Sequence, residues 1–196
     1  MDPNPDPRSG SRQLNRVGEE RQPPRVSLEP VTAADEWLTV ATEADPRVMA
    51  ELGGAWSEEQ ARATHARRLK HVAEHDTWWL KIIPDGETGP ETEHVPGAVG
   101  SLVLWHSEWE GEPISEIGWM VLHDHQGKGY ASAGLRAILE RARADGRWGD
   151  IHAFPGATNE PSNALCRKFG FELVGVGEAD YAGRRFPVNH WVLRSG

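Results

Sequence analysis

Between Glu116 and Ala131 the sequence reads EIGWMVLHDHQGKGYA, a strand-like alternation that passes through two glycines into a helical pattern. The first N–H groups of a helix lack partners inside it and carry about half a positive charge from the macrodipole, so such a turn can hold a phosphate. Gly127 and Gly129 let the main chain come close to a ligand, because no Cβ intervenes. A plain tight turn from strand to helix has the same composition. Two nucleotide motifs do not fit. Lys128 is followed by Gly129 rather than the Ser or Thr of a Walker P-loop, and Ser132 stands where a dinucleotide fingerprint needs its third glycine. Further on, Asn159, Ser162 and Cys166 fall at i, i+3 and i+7 of a second helical pattern and therefore share one stripe. Asn159 also has the type and place of an N-cap. His123 and His125 flank Asp124, but two histidines without other placed ligands do not build a metal centre, and none is expected.

The elements that must position these residues follow from periodicity and punctuation. Val26 to Val31 reads as a first strand, and Thr32 with Asp35 marks a helix start. A helix is predicted from Ser57 to Glu74, with Ser57 and Gln60 as a capping box and Ala61, Leu69, Val72 and Ala73 as its inner face. Thr77 to Ile83, Gly97 to Trp105 and Ile114 to Leu122 read as strands, with the acidic segment Pro84 to Pro96 as a long turn. Ala131, Leu135, Ile138, Leu139 and Ala142 make a helical stripe that Gly146 stops. Asp150 to Phe154, Phe171 to Val176 and Val188 to Arg194 read as strands, and Asn159 to Phe169 as a helix ended by Gly170. Strands mixed with helices in this way describe an α/β or α+β domain on a central sheet.

The chain has 196 residues, which suits one domain over residues 26–196 preceded by a flexible arm over residues 1–25, where five prolines interrupt a polar stretch. A net charge of −9 argues against nucleic acid as a partner and suits a cationic one. No run is long and apolar enough for a membrane span or a signal peptide core, so a cytoplasmic protein without a membrane partner is expected. Cys166 is the single cysteine, so no internal disulfide can form. Of the nine tryptophans, Trp78, Trp79, Trp105 and Trp119 are read as core, whereas Trp109, among Glu108, Glu110 and Glu112 in an expected loop, is read as lining a cleft. Exposed sheet edges in such domains are compatible with a homodimer.

Gln126, Gly129 and Ala131 meet the pattern Gln/Arg-x-x-Gly-x-Gly/Ala, which resembles the pyrophosphate loop of the GNAT superfamily of N-acetyltransferases. The preceding EIGWMV resembles that family's fourth strand, above all in the branch containing ribosomal-protein N-terminal acetyltransferases. NEPSNALCRKFGF, from Asn159 to Phe171, resembles the family's Asn-x-x-Ser helix ending in Lys-x-Gly-Phe. These two segments carry the resemblance. The rest of Val26 to Arg194 matches in element order alone.

The resemblance implies a GNAT-like fold, with a central mixed, mostly antiparallel sheet splayed between its fourth and fifth strands and flanked by helices. It implies acetyl-CoA as co-substrate and transfer of the acetyl group to a primary amine, either a small cationic amine or a peptide N-terminus, by direct attack in a ternary complex. The main chain of Gln126, Gly127, Lys128, Gly129, Tyr130 and Ala131 would hold the pyrophosphate, with Lys128 adding charge. Met120, Val121 and Leu122 would pair with the pantetheine amides, and Asn159 and Ser162 would face the cofactor. Cys166 stands where many members have a tyrosine that protonates the departing thiolate, which leaves the general acid open. Ser162 and Cys166 are both catalytic candidates on that stripe, although for Cys166 the reading as a small packing residue is favoured.

Acyl transfer needs a neutral amine, a stabilised oxyanion and a proton for the thiolate. Strand alternation puts Glu116, Gly118, Met120 and Leu122 on one side, so Glu116 is the candidate to take the amine proton, directly or through water. The competing reading pairs it with a cross-strand Lys or Arg. Glu108, Glu110 and Glu112 are rivals for the role. A non-catalytic acyl-CoA sensor or regulatory module would keep the same turn without turnover, and a nucleotide-binding protein could use it differently.

Overall fold

Alternating apolar and polar residues in the strands produce a sheet with two unlike faces, and those faces decide where the chemistry sits. The computed structural model describes residues 23–85, 97–181 and 183–196. Most of the expected arm and most of the turn from Pro84 to Pro96 lie outside the described residues. Strand β1 (Val26–Pro30) pairs antiparallel with β2 (Trp78–Pro84), β2 with β3 (Gly100–Trp109), and β3 with β4 (Glu112–Val121). β4 runs parallel to β5 (Ile151–Ala153), beyond which β7 (Arg184–Leu193) lies antiparallel between β5 and the edge strand β6 (Glu172–Tyr181). The order β1-β2-β3-β4-β5-β7-β6 gives the mixed, mostly antiparallel sheet expected from the sequence.

One face holds the core. Leu80, Ile82, Leu102, Leu104, Ile117 and Val121 point to it and pack with Leu135 and Ile138 of α3 (Tyr130–Asp145). Gly134 lets α3 settle close, since a Cβ there would stand 2.9 Å from Leu102 Cδ1. Trp79, Val103, Trp105 and Glu116 point to the other face, where α1 (Glu36–Glu43) and α2 (Glu58–Glu74) lie, with His65 and Arg68 of α2 against the Trp79 ring. The capping box forms as expected, Ser57 N–H donating to Gln60 Oε1 (2.9 Å) and Gln60 N–H to Ser57 Oγ (3.2 Å).

Four elements differ from the sequence reading. The inner face of α2 is Ala61, Thr64, His65 and Arg68, while Leu69 and Val72 are half-buried and Ala73 is exposed. Polar residues take the inner positions because His65 finds partners in Thr39 Oγ1 (2.8 Å) and the Thr32 carbonyl (3.1 Å). β3 runs on to Trp109, because Glu110 and Gly111, both at positive φ, make a two-residue hairpin turn where a loop was expected. β6 and β7 are likewise longer than predicted, forming one hairpin.

Candidate active site

The sheet opens beside β4. Only Ser115↔Ile151 and Glu116↔His152 pair β4 with β5. β4 continues to Val121 whereas β5 stops at Ala153, so the two diverge. A cavity of about 340 Å³ occupies the divergence, with Ile117 to Met120 on one lip, Ala153 to Pro155 on the other, and Asn159 and Ser162 at its side. Leu122 N–H bonds the Val99 carbonyl (2.9 Å). By strand alternation Met120 turns the same way, toward β3, while the main-chain groups of Trp119 and Val121 face the opening. Of Met120, Val121 and Leu122, Val121 alone therefore presents its main chain to the gap, and its carbonyl accepts from Gln126 Nε2 at 3.1 Å.

Asn163 holds the far lip in place. Its buried Nδ2 donates to the carbonyls of Gly156 (3.0 Å) and Asn159 (2.8 Å), and its Oδ1 accepts from Trp191 Nε1 (2.8 Å) and Asn189 Nδ2 (2.9 Å). The loop after β5, the start of α4 (Glu160–Lys168) and β7 are thus tied to one side chain. Sequence reading passed over this residue. The available signal was an asparagine inside a helix, where it is a weak helix former unless its amide bonds elsewhere. Asn159 caps α4, accepting from Ser162 N–H at 3.2 Å.

Glu116 lies on the cavity floor, opposite Trp105 in the β3–β4 ladder. No cross-strand Lys or Arg faces it there. Ser107 Oγ donates to its Oε2 at 2.8 Å, and burial pushes its carboxyl up to about 7 despite that bond. His152, its ladder neighbour on β5, bonds His190 (Nδ1 to Nε2, 2.8 Å), and burial lowers the pKa of both rings. Glu108, Glu110 and Glu112 are exposed at the hairpin end, away from the cavity.

The roof comes from segments without a motif. Arg68 donates from Nη1 to Glu43 Oε1 and from Nη2 to the Tyr181 hydroxyl (2.6 Å), and its guanidinium sits over the Trp79 ring. Tyr181 stacks on Trp56 at 5.0 Å, and burial raises its hydroxyl to about 12, so it remains a neutral donor. Burial also raises the Glu43 carboxyl, against the pull of Arg68. Arg184 clamps the hairpin to the α1–α2 connection through the carbonyls of Gly53 and Gly54 (both 2.7 Å).

At the other end, Gly127 and Gly129 adopt φ of 71° and 89°, in the left-handed region, and lead into α3. A Cβ on Gly127 would meet nothing within 4 Å, whereas one on Gly129 would stand 3.0 Å from Pro24 Cδ. Main-chain bonding into α3 begins with Ala133 N–H donating to the Gly129 carbonyl (2.9 Å), so the amides of Ala131 and Ser132 precede the helix ladder. Lys128, Arg136 and Lys168 line the groove beside this turn.

Two expectations are corrected. Cys166 is fully buried in the main apolar cluster and off the cavity wall, and its thiol is pushed up to about 12 by burial. It is a packing residue, since a thiol so placed is neither a proton source nor a nucleophile. Trp109 is a strand residue stacked on Phe154 (4.3 Å), not a cleft residue, while Trp79 and Trp119, packed in or against the core as read, and the half-buried Trp105 also line the cavity. Among the described residues no group of three His, Cys, Asp or Glu could hold a metal ion, and no helix is long and apolar enough to cross a membrane.

The fold has counterparts. The family model described as acetyltransferase (GNAT) domain matches residues 25–172, and the chain belongs to that family. Over 77 residues it is 34% identical to the uncharacterized N-acetyltransferase YnaD of Bacillus subtilis (strain 168), which covers 39% of this chain and 44% of YnaD, less than half of that relative. An acetyltransferase of the GNAT family from Bacillus anthracis superposes with a TM-score of 0.67 at 20% identity, covering 88% of this chain and 96% of that one. RimL, a ribosomal L7/L12 alpha-N-protein acetyltransferase solved with coenzyme A, superposes with a TM-score of 0.65 at 19% identity, covering 87% and 94%.

Proposed function

We propose that the protein transfers the acetyl group of acetyl-CoA to a primary amine, a small amine or a peptide N-terminus, in a ternary complex. The observation that carries this reading is Glu116, a carboxyl raised to about 7 on the floor of the opening between β4 and β5. A base with a pKa near the working pH combines availability with driving force.

The residues present fit the coenzyme. The αL glycines, the amides of Ala131 and Ser132 and the cations Lys128, Arg136 and Lys168 suit a diphosphate. The main chain of Trp119 and Val121 offers strand-like partners for amides lying in the gap. Acetyl-CoA supplies a thioester whose carbonyl carbon accepts the amine. Glu116 takes one proton from the acceptor ammonium, so that its nitrogen lone pair can form the new C–N bond as the C–S bond breaks. Ser162 Oγ–H, at the mouth of α4, gives its proton to the departing sulfur and regains one from solvent, into which the nitrogen's second proton is released. Asn159 keeps Ser162 in place through the cap.

The test is amine-dependent release of the CoA thiol, followed against pH. Wild type should show a rate that rises through about pH 7 as Glu116 ionises. Glu116→Gln should lose that limb and about 10²–10⁴-fold in kcat/KM. An unchanged profile in Glu116→Gln removes it from the mechanism. Absence of amine-dependent release across a broad panel removes the transferase reading.

A further inference from the structure

The acceptor side of the cavity carries more information than the net charge of the chain. Its wall is formed by the rings of Trp79, Trp105 and Phe186 together with Val103. Trp105 lies beside Glu116 in the β3–β4 ladder, with ring atom Cζ3 3.7 Å from where a Cβ on Gly118 would stand, so the ring reaches over that glycine. The charged groups of the wall are mostly cancelled. Glu43 is paired with Arg68, itself a cation, while Asp180, exposed at the rim, accepts from Gly183 N–H at 2.6 Å and leaves Arg185 to Glu178 at 4.0 Å. Among the described residues Glu116 is the one carboxylate on the cavity floor, and no cation is paired with it.

A polyamine or aminoglycoside carries several ammonium groups, each of which loses hydration on entry and needs an anionic partner. The floor of this cavity offers one such partner beside aromatic surface, which gains from burying apolar area. We propose that the acceptor is a singly charged primary amine on a flat aromatic body, of the arylalkylamine class, with its nitrogen at Glu116 and its ring against Trp105 and Trp79. Tyr181 and Arg68 close the far end and suit a ring carrying a hydrogen-bonding substituent. This inference rests on the transferase reading above.

The experiment compares phenethylamine, tyramine and spermidine as acceptors for the full chain with acetyl-CoA, following CoA thiol release. The aryl amines should exceed spermidine by at least about tenfold in kcat/KM. Trp105→Ala should erase that preference through KM for the aryl amines, whereas Trp105→Phe should retain most of it. Spermidine turned over better than either aryl amine, or a preference unmoved by Trp105→Ala, overturns the proposal while the transferase reading stands. If no amine releases thiol, the transferase reading fails. Calorimetric titration of phenethylamine into the CoA-saturated protein then decides the cavity's preference, and binding no tighter than that of spermidine overturns it.

Discussion

At the scale of the residue, Glu116 makes a prediction independent of turnover. Its ordinary value is 4.5 and its folded value about 7, so between those pH values the native state holds a proton that the unfolded chain has lost. Stability associated with Glu116 is therefore present below about pH 4.5 and lost as pH rises through about 7. Glu116→Gln, neutral throughout, should melt near wild type at pH 5 and above it at pH 8. A thermal melt at the two pH values checks this, and equal shifts at both would contradict the assigned burial. Asn163 makes the opposite kind of prediction. All of its amide positions are used, so Asn163→Ala should cost about 1–3 kcal/mol by denaturant unfolding, because it strands the buried Trp191 indole N–H, while the carbonyls of Gly156 and Asn159 keep their main-chain donors.

At the scale of the element, Gly100 shows how tightly β3 and β4 are joined. A Cβ there would stand 2.3 Å from the Met120 carbonyl oxygen and 3.0 Å from Val121 Cα. Since main chain cannot yield as a side chain can, Gly100→Ala should cost about 1–3 kcal/mol and lower Tm by about 2–4 °C for each kcal/mol. A melting curve unchanged from wild type would contradict that packing. The elements near Gly100 were also the most legible. Strand alternation fixed the faces of Glu116 and Trp119, and the glycine turn marked the start of α3, because both rest on local periodicity and main-chain conformation. The roof was not legible. Glu43, Arg68 and Tyr181 come from three elements distant in sequence, and each alone reads as an ordinary surface residue. Trp109 misled for a related reason: acidic neighbours suggested a loop, but a two-residue turn at Glu110 and Gly111 extends the strand. Cys166 had a position matched to a motif, yet the depth of the apolar cluster around it, invisible to spacing, sets its chemistry.

At the scale of the whole molecule, the sheet divides the labour. Its core face packs α3, whose glycine turn lies at one end of the gap, while its other face, roofed by α1, α2 and the β6–β7 hairpin, shapes the cavity. The net charge of −9 is not concentrated on the acceptor wall, where Glu43 and Arg68 neutralise one another. The claim on which the account depends is that the turn at Gly127 to Gly129 holds a diphosphate. It is tested most directly by calorimetric titration of acetyl-CoA into wild type, Gly127→Asn and Gly127→Asp. Position 127 has a left-handed φ of 71° and open space for a side chain, and Asn and Asp both tolerate that conformation. The pair therefore separates added charge from strain. One acetyl-CoA should bind per wild-type chain, Gly127→Asn should stay close to it, and Gly127→Asp should bind at least about tenfold more weakly, as expected for an anion set against phosphate at a helix start. No binding to wild type, or equal affinity for the two variants, would contradict the account.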